Sequence, residues 1–99
     1  MLRSVELFAG LLAELPESVP LRREYVLSAV RLPVLRADAP GYAARLTIFA
    51  RASGYANEFP RPRPGEMPPM VPTAAIQEKL MAMLRDGGRH DEADRVRRR

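Results

Sequence analysis

The apolar positions of residues 4–15 (SVELFAGLLAEL) recur at helical spacing, with Phe8, Leu11, Leu12 and Leu15 at i, i+3, i+4 and i+7. Ser4 is placed to cap that helix, Glu6 suits its positive N-terminal end, and Pro16 forbids continuation. Gly10 costs about 1 kcal/mol inside a helix, which points to close approach by a neighbour. A second amphipathic helix is predicted over 73–86 (TAAIQEKLMAMLRD). Thr73 is its cap, Ile76, Leu80, Met83 and Leu84 its buried stripe, and Gly87-Gly88 its end. Residues 90–97 add a short helix whose apolar members are Ala93 and Val96.

The middle of the chain reads differently. From Tyr42 to Ser53 the pattern has period two. Tyr42, Ala44, Leu46, Ile48, Ala50 and Ala52 take one side; Ala43, Arg45, Thr47, Phe49, Arg51 and Ser53 take the other. Over Glu24–Arg36 the same parity gathers Val26, Val30, Leu32 and Val34. Between these segments lies Ala37-Asp38-Ala39-Pro40-Gly41, a turn sequence. Pairing Arg36 with Tyr42 sets Val34 against Ala44, Leu32 against Leu46 and Val30 against Ile48, so the apolar faces match. The expected fold is therefore α+β in one domain spanning 1–99: helix, long antiparallel hairpin, proline-rich connector, helix. Pro33 opposes the hairpin, because it cannot donate to a ladder. The competing reading is a second helix over 20–32 within a small all-α bundle.

Residues 60–72 (PRPRPGEMPPMVP) carry six prolines and read as a stiff, extended connector. The rest of the composition limits the function. Hydrophobic residues at 46% and charged residues at 28% describe a folding chain rather than a disordered one. The absence of cysteine excludes disulfides, thiolate metal sites and cysteine nucleophiles, and a single histidine, His90, excludes a multi-histidine metal site. No apolar run approaches a membrane span and no signal-peptide pattern is present, so a cytoplasmic protein without membrane contact is expected.

Net charge is +4, from 15 arginines and Lys79 against 12 acids. Arginine in place of lysine is in part the codon usage of a GC-rich genome, but the placement is uneven. Residues 1–20 hold one arginine against three glutamates, residues 21–63 eight arginines against three acids, and the tail 95–99 four arginines. Catalytic patterns are missing. The glycines form no phosphate loop, the Asp86–Asp94 acids lack calcium-loop spacing, and His90-Asp91 sits in a polar terminus. No enzyme activity, cofactor or metal is expected.

One constellation remains. The hairpin register places Tyr25, Arg31, Arg45, Phe49, Arg51 and Tyr55 on a single outer face, with Arg97, Arg98 and Arg99 as a mobile basic arm. Tyrosine and arginine together mark protein interfaces, and the same residues suit phosphate neutralisation and base stacking. The expected function is that of a non-catalytic accessory or regulatory protein that self-associates and binds an unidentified protein partner. Self-association is expected as a homodimer, with two hairpins joined edge to edge into one sheet. The alternative is a nucleic-acid-binding protein using that basic face and tail.

Overall fold

A computed structural model describes residues 2–59, 64–65 and 71–97. Within them the chain forms five helices: α1 (Leu2–Glu14), α2 (Val19–Ala29), α3 (Tyr42–Glu58), α4 (Thr73–Asp86) and α5 (His90–Arg97). Among the described residues there is no strand, so the α+β hairpin is overturned in favour of the all-α bundle. Each helix makes its main contacts with its sequence neighbours, α1 on α2, α2 on α3, α3 on α4 and α4 on α5.

The reason the hairpin reading fails lies in α3. It packs against both α2 and α4 through a face made largely of small residues. Leu46, Phe49, Ala52, Ser53 and Ala56 are buried, while Tyr42, Ile48 and Tyr55 are half-buried around them. The buried positions do follow one helical stripe, Leu46, Phe49, Ser53 and Ala56 at i, i+3, i+7 and i+10, but Ser53 and Ala56 carry little apolar signal and half-buried Ile48 and Tyr55 lie off it. The segment also holds five alanines, the strongest helix formers, against only two β-branched residues, Thr47 and Ile48. The even spacing of small residues therefore imitates alternation.

The local signals for α2 were present. Ser18 is its N-cap, accepting from the Leu21 amide at 3.4 Å, and Pro20 occupies the first turn, where its missing N–H is harmless. Buried Tyr25, Val26 and Ala29 form its inner face. The turn expected at Ala37–Gly41 exists, with the Ala39 amide bonded to the Arg36 carbonyl at 2.9 Å. It joins two helices instead of two strands, and Gly41, at φ 82°, sits in the left-handed conformation just before α3.

The long α2–α3 loop lies against the bundle through side chains that bind its backbone. Lys79 Nζ donates to the Leu32 carbonyl at 2.6 Å, Arg45 Nη1 to the Pro33 carbonyl at 2.5 Å, and Asp86 Oδ2 accepts from the Ala37 amide at 2.6 Å. These bonds satisfy carbonyls and an amide that no regular element would pair.

The C-terminal helices follow the sequence reading closely. Ile76, Leu80, Met83 and Leu84 are buried in α4, and Ala93 and Val96 in α5. Thr73 does not cap α4: it is the first helical residue, and Pro72 holds the cap position. Nor does Ser4 cap α1, since that helix starts at Leu2 and Ser4 lies inside it. Most of the proline-rich connector (60–63 and 66–70) lies outside the described residues.

Candidate functional site

The hairpin face does not exist as a surface, and its residues are dispersed. Phe49, expected outside, is 0% exposed at the centre of the core. Tyr25 is buried as well, at 2%. Both follow from α3 and α2 turning these positions inward at i, i+3, i+7 spacing from Leu46 and around Val26. Arg45 is half-buried and committed to the Pro33 carbonyl. Arg31 is exposed just beyond α2, and Arg97 is exposed at the end of α5. Arg98 and Arg99 lie outside the described residues.

Three of the expected residues do meet, joined by a fourth. Tyr25 of α2 and Tyr55 of α3 pack edge to face, 5.5 Å between centroids at 87°. The Arg51 guanidinium lies 5.2 Å over the Tyr25 ring and 5.5 Å over Tyr55, and its Nε donates to the Tyr55 hydroxyl at 2.8 Å. Arg22 covers Tyr55 from 5.1 Å. It also donates to Glu58 at 2.9 Å and to the Pro16 carbonyl at 2.8 Å, tying the α1–α2 turn to α3. Burial pushes the Tyr25 hydroxyl above its ordinary value, with the nearby Arg51 charge opposing part of that rise. Nearly every donor and ring here is engaged within the chain. The cluster holds α2 to α3, with the Tyr25 ring buried and Arg22 and Arg51 lying over the Tyr55 ring.

A groove of about 310 Å³ opens between α3, α4 and α5. Leu46, Leu80, Leu84 and Val96 form its floor, and Arg89 and Arg95 stand at its mouth. Arg89 is engaged bidentately by Glu92, at 2.9 and 2.6 Å. The volume sits at the small end of ligand pockets. Among the described residues no three histidines or carboxylates are grouped to hold a metal ion.

The feature that sequence reasoning missed is on α1. Of the four residues assigned to its buried face, Leu12 is buried and Phe8 half-buried, but Leu11 and Leu15 are exposed at 38% and 59%. Val5 takes their place in the core. Leu7 is 61% exposed, and Val19 at the start of α2 is 52% exposed. The signal was available: Val5, Leu7, Phe8, Ala9, Leu11, Leu12 and Leu15 span more of the helix circumference than one neighbour can cover. Since α1 packs mainly on α2, part of its apolar arc faces outward. Leu7, Leu11 and Leu15, at i, i+4 and i+8, form a continuous ridge.

Comparison of the chain with protein-family models, with curated proteins and with solved structures finds no match.

Proposed function

We propose that this chain is a non-catalytic accessory protein that self-associates through the outer face of α1 and binds a protein partner. The observation that carries the reading is the exposed ridge of Leu7, Leu11 and Leu15. Large apolar side chains grouped in one exposed patch are characteristic of interaction surfaces, whereas single ones are ordinary. The aromatic–arginine cluster supports the same reading indirectly, because it rigidifies the α2 platform on which α1 rests.

The nucleic-acid alternative loses its specific support with the burial of Tyr25 and Phe49, which were to supply the stacking platform. What remains for it is general basic charge. Among the described residues no helix is long and apolar enough to cross a membrane. A cytoplasmic site of action belongs to the proposal.

Sedimentation velocity over a concentration series tests the function. The expected result is reversible association by the wild-type chain, abolished by Leu11→Asp with its helical circular dichroism retained. A Leu11→Asp chain that associates as the wild type does would remove α1 from the interface.

A further inference from the structure

The line of residues Arg3, Leu7, Gly10 and Glu14 follows i, i+4, i+7, i+11 along α1, and all four are exposed. Its composition is symmetric about its midpoint: a charge at each end, of opposite sign, and a large and a small residue between them. Three observations show that the line is not arranged for its own helix. Gly10 weakens a helix interior, yet a Cβ built there meets nothing within 4 Å, so no neighbour among the described residues requires glycine. That also overturns the expectation of an intramolecular close approach at Gly10. Arg3 in the first turn and Glu14 at the last residue both oppose the helix dipole. Neither has an ion-pair partner within 4 Å among the described residues.

Resting on the proposal that α1 is the interaction face, we infer that its occupant is α1 of a second copy of this chain, packed antiparallel about a two-fold axis near the middle of the helix. In that arrangement residues on one flank of a helix meet the same flank of its partner. Leu7 of each protomer then enters the gap left by Gly10 of the other, and Arg3 of each pairs with Glu14 of the other, at both ends of the seam. Leu11 and Leu15 close the side of the contact next to α2. A parallel pair sets unlike flanks together and leaves Arg3 and Glu14 far apart along the axis, so the charges choose the direction. The contact is one helix wide, in the range of small, reversible interfaces, and the dimer is expected to dissociate in the micromolar range.

Sedimentation equilibrium on the full chain tests this with Arg3→Glu, Glu14→Arg and Gly10→Leu. Each charge reversal replaces two attractions per dimer with two repulsions and is expected to raise the dissociation constant on the order of tenfold. An equimolar mixture of the two reversed chains restores one attraction at each end and is expected to return to wild-type affinity as a heterodimer. Gly10→Leu fills the gap and is expected to abolish the dimer. Gly10→Ala should raise thermal stability and still weaken the dimer, which separates folding from assembly. A wild-type dimer unmoved by the reversals and by Gly10→Leu overturns the antiparallel seam; if Leu11→Asp still disrupts that dimer, the α1 face itself stands. A wild-type chain that sediments at 11.1 kDa throughout the micromolar range overturns both the seam and self-association.

Discussion

The Tyr42 hydroxyl, on the first residue of α3, donates a 2.5 Å hydrogen bond to the Met83 carbonyl in the last turn of α4. The same carbonyl accepts from the Gly87 amide at 3.1 Å, so the end of α4 is closed partly from outside its own helix. A methyl group on Gly87 would overlap the Tyr42 hydroxyl. Tyr42→Phe is expected to cost about 0.5–1.5 kcal/mol, the worth of one hydrogen bond, since Met83 keeps a second donor. Gly87→Ala is expected to cost about 1–3 kcal/mol through overpacking, and less in the Tyr42→Phe background. Urea denaturation of the four chains closes the cycle, and strictly additive losses would separate the two positions.

Phe49 decides between the helical and the hairpin arrangement of residues 42–54. As a fully buried ring on α3 it should cost about 3–5 kcal/mol when replaced by alanine. That is a large share of the roughly 5–15 kcal/mol of a domain this size. A Phe49→Ala chain with unchanged melting would contradict its place in the core.

Two neighbouring positions of α3 should tolerate, and benefit from, alanine. The Ser53 hydroxyl is buried without a hydrogen-bond partner among the described residues, and a Cβ at Gly54 meets nothing within 4 Å. Ser53→Ala removes a desolvated hydroxyl, and Gly54→Ala removes backbone freedom from the unfolded chain; each is expected to stabilise by about 0.5–1 kcal/mol. Thermal unfolding of the single and double variants reads the gain, and a loss at either position would refute it.

Stability should fall at alkaline pH in a way that depends on Tyr25. Burial, with Arg51 in partial opposition, raises its hydroxyl above the ordinary 10.0, so folding favours the neutral phenol. Below pH 10.0 the phenol is neutral in both states and the stabilisation is complete. It declines as pH rises through the raised folded-state value, where only the unfolded state ionises freely. Tyrosinate absorbance should show a late-titrating component that is lost in Tyr25→Phe, whose alkaline stability loss is correspondingly smaller. Equal alkaline profiles for the two chains would refute the assignment.

Oligonucleotide binding should be weak and lost by about 200 mM salt, as expected for diffuse charge without stacking. Fluorescence anisotropy across a salt series checks this. Tight binding at the upper salt would restore the nucleic-acid reading.

What could be read along the chain was whatever depended on one neighbour or on local chemistry. The stripe of Ile76, Leu80, Met83 and Leu84, the break at Gly87-Gly88, and the pair Ala93 and Val96 were legible because α4 and α5 each bury a distinct face. The turn at Ala37–Gly41 was legible because Pro40 fixes its φ and Gly41 alone accepts a left-handed turn without cost, whatever surrounds them. The structure of α3 was not, because its buried stripe of Leu46, Phe49, Ser53 and Ala56 includes a serine and an alanine while Ile48 and Tyr55 lie off it, which leaves the helical apolar period weak. The exposed ridge of α1 was hidden for the opposite reason. Sequence shows that Leu7, Leu11 and Leu15 are apolar, but only the placement of α2 decides which part of that arc meets a neighbour and which part is left for another chain. Tyr25, Arg51 and Tyr55 were grouped by a hairpin register that does not exist; they meet instead through helix packing, as a clamp within the fold rather than an outer face.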